Sequence, residues 1–199
     1  MKKSLTANLY VALMHYPVVN KNGAVIASAV TNLDLHDISR AAKTYGVQSF
    51  YVVTPLEDQK ELVENIVDHW TRGNGAAYNP IRRDAMELIR IRNSLEQVAD
   101  DVRTQCGLNP RTVMTCARRK PECLGYGELR EIMIQTENPY ILVFGTAWGL
   151  CEEVFAQADY VLEPVAGSTA YNHLSVRSAV AIILDRLMGP TSLTNSGRA

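Results

Sequence analysis

The strongest constraint on this chain is its alternation of short apolar, β-prone runs with longer segments of helical periodicity. Residues 8–15 (NLYVALMH) form a mostly apolar run, as a strand buried on both faces requires. Leu35, Ile38, Ala42 and Tyr45 then recur at helical spacing, with Asp34 as the expected cap and Gly46 as the stop. Residues 47–53 (VQSFYVV) return to β-branched and aromatic side chains, and Pro55 ends them. Further strands are expected at 112–117, 140–144 and 160–162, with helices at 128–136, 151–157 and 173–188. Repeated strand–helix–strand units imply an α/β fold: a parallel sheet with helices on both faces.

The stretch 56–109 breaks this rhythm. Residues 57–70 carry Leu62, Ile66, His69 and Trp70 on one helical face and stop at Gly73-Asn74-Gly75. From Asn79-Pro80, a cap followed by a first-turn proline, Ile81, Ala85, Leu88, Leu95, Val98 and Val102 predict one long helix running to Gly107. With no strand between them, these two helices are expected as an insertion after the second strand, lying on one side of the sheet. No linker or repeat divides the 199 residues, so a single domain over 1–199 is expected, with a frayed tail at 190–199.

Composition removes several function classes. The 20 Lys and Arg balance 21 Asp and Glu, which excludes a histone-like polycation but not a local basic patch. The four cysteines form no CxxC pair and the four histidines have no ligand spacing, so neither a disulfide scaffold nor a metal is expected. Apolar runs fall far short of the ~18 residues of a membrane span. The basic start lacks the apolar stretch of a signal peptide, so a cytoplasmic protein is expected. No GxxxxGK[ST] or GxSxG occurs, and the glycine pairs at 73/75 and 125/127 lack the third glycine and preceding strand of a dinucleotide loop.

Three loops lie where open α/β sheets place ligands, at the carboxyl ends of expected strands. They are 31–47 (TNLDLHDISRAAKTYGV), 142–150 (LVFGTAWGL) and 162–179 (LEPVAGSTAYNHLSVRSA). In this order they resemble the three motifs of the SPOUT (α/β-knot) RNA methyltransferases. The likeness is nearest to a bacterial branch with FGTxWGL and YNHLSVRSA signatures, and it runs from Asn8 to Met188.

That resemblance implies a C-terminal trefoil knot and a homodimer with the 173–188 helix near its interface. It implies S-adenosylmethionine as cofactor, held by Thr115, Gly145, Gly149, Leu150, Leu162, Pro164, Asn172, Leu174 and Ala179. Gly145, Gly149 and Gly167 would let backbone approach a ligand closely. The implied activity is methyl transfer to RNA (tRNA or rRNA), with the ribose 2′-oxygen the preferred acceptor and a guanine base nitrogen the alternative. Arg40 matches the arginine of the ribose-methylating branch. A guanidinium is a poor base, so Arg40 is expected to stabilise charge on the acceptor. Ser175, where that branch often has Asn, is the second catalytic candidate.

Arg118-Arg119-Lys120 is the one tight basic run, a candidate for RNA phosphates or simply a solvated loop. Arg82, Arg83, Arg90 and Arg92 are candidates to extend it. Two other readings stay open: a non-catalytic RNA-binding knot protein, and a flavodoxin-like ligand binder, which gives no reason for Asn172-His173-Leu174-Ser175-Val176.

Overall fold

β1 (Leu9–Met14) occupies the middle of the sheet, and all six of its residues are buried. Leu9, Val11 and Leu13 face one core while Tyr10, Ala12 and Met14 face the other, the period-two split of a strand covered on both sides. The coordinates, a computed structural model, describe residues 8–190. The basic start and the tail from 191 on, where fraying is expected, lie outside the described residues.

The chain leaves β1 through a small antiparallel pair, β2 (Val18–Val19) and β3 (Val25–Ile26), which has no signal in the sequence pattern. α1 (Asn32–Thr44) follows, and its cap is Thr31 rather than Asp34. The Thr31 hydroxyl accepts from the Asp34 amide at 3.2 Å, which leaves Asp34 in the first turn, where a carboxylate favours the positive end of the helix. Leu35, Ile38 and Ala42 bury the inner face. Gly46, at φ +73°, then turns the chain into β4 (Ser49–Val53), parallel to β1.

The stretch 56–109 departs from the two-helix expectation. It folds as α2 (Glu57–Thr71), α3 (Asn74–Tyr78), α4 (Pro80–Met86), β5 (Ile89–Arg92) and α5 (Leu95–Cys106). The expected helix from 79 to 107 is therefore cut by a strand that pairs with β4 at the sheet edge. The cause is local. Ile89 and Ile91 alternate with Arg90 and Arg92, a period of two. Ser94 then caps a fresh helix by accepting from the Gln97 amide at 3.4 Å. β5 and α5 continue the strand–helix alternation, and α2, α3 and α4 together form the crossover between the parallel strands β4 and β5.

β6 (Arg111–Met114), α6 (Tyr126–Gln135), β7 (Tyr140–Gly145), α7 (Glu152–Phe155), β8 (Tyr160–Val161) and α8 (Val176–Met188) complete the described chain. The six sheet strands are all parallel, in the order β5-β4-β1-β7-β6-β8. One core joins the sheet to α1, α2, α4, α6 and α8, and the other joins it to α5, α7 and β2. α8 starts at 176 rather than 173, because Ser175 caps it by accepting from the Ser178 amide at 3.3 Å. It packs on α1, α6 and β7, so Val180, Ile183, Leu184 and Leu187 are buried within one chain.

Candidate active site

The chain runs outward from β1 through β4 to β5, then returns to the other side of β1 to lay down β6, β7 and β8. Strand order thus reverses between β1 and β7, and the crevice beyond their carboxyl ends is where such sheets bind ligands. His15 follows β1 there, and Thr146 follows β7.

His15 is fully buried and belongs to a relay. The Thr146 hydroxyl donates to the Met14 carbonyl at 2.9 Å, so its oxygen is left to accept from the Ser28 hydroxyl at 2.5 Å. Ser28 Oγ in turn accepts from His15 Nδ1 at 3.1 Å. This order of donors assigns the proton to Nδ1 and leaves Nε2 as a buried lone pair without a partner. Burial holds the imidazole below its usual pKa, against the opposing pull of the Asp34 carboxylate, so the ring is neutral near pH 7. From the sequence, His15 is the end of the expected strand 8–15 and one of four histidines without ligand spacing, with no role of its own. The available signal was its place one residue beyond the central strand.

The loop after β7 folds tightly back on the strand. A Cβ at Gly145 would stand 2.6 Å from the Leu150 amide nitrogen and 2.8 Å from the Gly149 carbonyl carbon, so only glycine fits. Gly149 adopts φ +110°. The Trp148 amide donates to the Val19 carbonyl and the Val19 amide to the Gly149 carbonyl, each at 3.0 Å, so β2 holds the loop. Leu150 is buried and bridges to Val18.

The loops after β6 and β8 meet beside it. Thr115 is buried and its hydroxyl donates to the Val143 carbonyl at 2.9 Å, tying β6 to β7. Leu162 is buried and bridges to Leu124, and the Glu163 amide donates to the Leu124 carbonyl at 2.9 Å. The Asn172 side-chain amide donates to the Ala117 carbonyl at 2.7 Å. Pro164 is half-buried, Leu174 exposed, and Ala179 half-buried in the first turn of α8. Thr115, Gly145, Gly149, Leu150, Leu162, Pro164 and Asn172 therefore share one edge, with Leu174 and Ala179 flanking it. Among the described residues, the backbone amides of 165–170 donate to no protein partner, which leaves donors free beside the glycine loop.

Arg40 is not at that edge. It is exposed on α1, eight residues past Asn32, which puts it roughly 12 Å down the helix at 1.5 Å per residue. Nearer the edge is an ion pair with no local sign in the sequence, since its members are 143 residues apart. Arg177 at the start of α8 reaches Asp34 at 3.0 Å and Asp37 at 3.3 Å, tying α8 to α1.

The basic run divides. Arg118 and Arg119 are exposed and, among the described residues, pair with no carboxylate. Lys120 instead pairs with Glu152 at 3.0 Å and lies 3.8 Å over the Phe155 ring, anchored to α7. Of the four arginines expected to extend the patch, Arg83 pairs with Asp84 and Glu87, Arg92 with Asp101, and Arg90 donates to the Glu87 and Ile89 carbonyls. Arg82 stands 4.6 Å above the centre of the Trp70 ring, and Arg92 also lies over a ring, 5.9 Å from the centre of Tyr51. Among the described residues no group of three or more His, Cys, Asp or Glu could hold a metal ion, and no helix is long and apolar enough to cross a membrane.

A family model for SAM-dependent RNA methyltransferases matches residues 8–189. The chain belongs to that family. Members of that family are described as using S-adenosylmethionine to methylate RNA. A tRNA (guanine-N(1)-)-methyltransferase of Oleidesulfovibrio alaskensis is 42% identical over 182 residues, covering 92% of this chain and 42% of that protein. The methyltransferase thus spans less than half of that relative. An uncharacterized protein of Aquifex aeolicus is 37% identical over 183 residues, with 92% and 89% covered. Among solved structures, the SpoU methyltransferase AviRb of Streptomyces viridochromogenes, in complex with AdoMet, shares the fold. It has a TM-score of 0.53 at 18% identity, covering 96% of this chain and 60% of that one. The glycine loop and the free amides of 165–170 fit such a cofactor, whose adenine can be read by backbone groups without any charged side chain.

Proposed function

We propose that the methyltransferase modifies a nucleotide of tRNA or rRNA, with its cofactor on the loops that follow β6, β7 and β8. The observation that carries this reading is the convergence of Thr115, Gly145, Gly149, Leu150, Leu162, Pro164 and Asn172 beside the reversal of strand order. Together with Leu174 and Ala179 they would hold the cofactor through backbone groups and apolar contact. When bound, S-adenosylmethionine supplies a methyl group on a sulfonium. The chain's own work is then to hold the acceptor in line and keep water out, which positioning alone can accelerate greatly.

The ribose 2′-oxygen is the first acceptor, on the ground that Arg40 is exposed and has no carboxylate partner among the described residues. Its guanidinium would neutralise charge developing on that oxygen. The Ser175 hydroxyl, already engaged as the α8 cap, would position the acceptor from the edge of the site. The names of relatives support a second reading, a guanine base nitrogen. More than half of each of those proteins lies outside the match, so their printed activity need not reside in the shared part.

A homodimer accounts for the separation of Arg40 from the glycine loop, since a partner's α1 could bring its own arginine there. The expected knot would lie at 163–175. That segment leaves the outer strand β8, passes the loop after β6 and returns α8 to α1 and β7. We take the protein as one domain, working in the cytoplasm, with Arg118 and Arg119 on RNA phosphates.

The test is incubation with methyl-labelled S-adenosylmethionine and total tRNA or rRNA, followed by digestion to nucleosides. Label in a 2′-O-methyl nucleoside supports the first acceptor, and label in 1-methylguanosine replaces it with the second. Absence of label from both RNAs would refute the reading.

A further inference from the structure

Beyond the proposed cofactor edge, α1, α2 and α4 line an open pocket of about 440 Å³, bordered by Asn32, His36, Asn65, Ile66, His69, Trp70 and Arg82. That volume lies within the ~300–1,000 Å³ of small-ligand sites. Trp70 forms its wall. His36 and His69 meet the indole edge-on at 5.3 and 5.1 Å, and Arg82 stands over the ring at 4.6 Å. Gly75 makes this arrangement possible, because a Cβ there would come within 2.8 Å of Trp70 Cε3.

Three features mark the cavity as more than packing. His36 Nδ1 is buried and has no hydrogen-bond partner, a vacancy that native structures rarely leave. Burial, then the Arg82 guanidinium and, least, Arg40, hold the His36 imidazole below its usual pKa against the opposing pull of Asp37, so the ring offers a neutral donor and acceptor. Neither arginine is tied to a carboxylate among the described residues, so both charges stay available to an anion. Asn32, His36 and Arg40 also fall at i, i+4 and i+8, one stripe of α1 leading from the cavity toward the proposed catalytic arginine.

We propose that this cavity is a second RNA subsite, which takes one unstacked nucleotide of the substrate next to the nucleotide that is methylated. The base lies against Trp70 and the Arg82 guanidinium, as single-stranded RNA bases stack on aromatic rings and arginine planes. Asn32, Asn65 and the neutral His36 meet the polar edge of the base, and Arg82 and Arg40 meet its phosphate. The choice of ligand rests on the RNA-methyltransferase reading, since the cavity itself selects only for an aromatic, hydrogen-bonding anion. The crossover helices α2 and α4 thereby acquire a role beyond joining β4 to β5: with α1 they build the pocket.

Trp70 and Trp148 are the two tryptophans of the chain, so in a Trp148→Phe background, with excitation selective for indole, Trp70 is the sole reporter. In that background the four 5′-nucleoside monophosphates and total tRNA should each quench Trp70 in a saturable way. Arg82→Ala and Asn65→Ala, both outside the sheet cores, should weaken quenching and tRNA binding about tenfold or more. Affinity for S-adenosylmethionine by calorimetry should stay unchanged. Fluorescence that stays flat with monophosphates and tRNA overturns the proposal, as does quenching that is equal in the variants. If RNA is methylated normally while Arg82→Ala and Asn65→Ala bind tRNA as the parent does, the subsite falls and the reaction stands. If RNA is not methylated but quenching still depends on Arg82, the nucleotide site stands and the reading of the reaction falls.

Discussion

The Arg177–Asp34 pair should be the costliest polar contact in the molecule to break. Asp34 keeps 8% of its side-chain surface and Arg177 keeps 31%, so Arg177→Met strands a nearly buried carboxylate. Removing one partner of a buried pair typically costs ~3–5 kcal/mol. Asp34 retains the Thr31 hydroxyl at 2.6 Å and its place at a helix N-terminus, which lowers the expected cost to about 2–3 kcal/mol. For a domain of this size, ~2–4 °C of melting temperature is lost per kcal/mol, so calorimetry should show a fall of about 4–12 °C. Asp34→Asn combined with Arg177→Met should cost clearly less than the sum of the two single changes, because the second removes the charge that the first leaves unpaired. Arg177 also begins the helix that follows 165–175, so cofactor affinity should weaken in the same variant. A melting temperature within about 1 °C of the parent, or strict additivity in the double variant, would refute the tether.

Arg40→Ala should lower single-turnover methylation by ~10²–10³ with cofactor affinity nearly unchanged, and Lys should rescue only part of it; turnover at the parent rate would make Arg40 a surface residue. Arg118→Ala and Arg119→Ala should each weaken RNA binding and reduce the salt slope of binding by about one. Lys120→Ala, already committed to Glu152, should leave that slope nearly unchanged, as filter binding across a salt series would show. The folded His15 imidazole titrates below the ordinary value of 6.5, so below that pH the unfolded chain takes up a proton that the folded chain refuses. Stability should therefore fall as pH drops from 6.5 toward the folded value. His15→Asn should flatten that fall in urea unfolding, and an unchanged slope would show that His15 is not its source.

How much could be read from the sequence depended on the range of the interaction. Strands such as 140–144 and helices such as 128–136 carry their period in consecutive residues, and the structure places elements there within a residue or two. The helix expected across 79–107 failed because Leu88, Leu95 and Val98 satisfy a helical period even though Ile89 to Arg92 satisfy a strand's. Pairing with β4, which lies more than 30 residues earlier, decided between them. Asp34 looked like a cap for the same reason, since Thr31 and Asp34 both have the chemistry and only the backbone chooses. The edge shared by Thr115, Gly145 and Asn172 was legible through the motif loops. The His15–Ser28–Thr146 relay was not, because it joins residues up to 131 positions apart that have no common pattern. Nor was the division of the basic run, because Lys120 leaves it for a carboxylate 32 positions away.

α1 is where these separate observations meet. Its thirteen residues span about 20 Å and present three different stripes. Leu35, Ile38 and Ala42 bury one stripe against the sheet. Asp34 and Asp37, with Tyr45 just past the helix end, turn toward α8, where the two carboxylates meet Arg177 and the Tyr45 hydroxyl donates to Asp185 at 2.9 Å. Asn32, His36 and Arg40 run along the side that faces α2 and α4. The helix that orders the start of α8, and with it the end of the cofactor loop, therefore also carries the residues that face the aromatic cavity. Its buried stripe holds it rigidly to the core, so the two outer stripes keep a fixed spacing. The proposed cofactor edge and the pocket are in this way set against each other by one packed helix rather than by the loop at 165–175, in which the backbone amides of 165–170 stay free for a ligand.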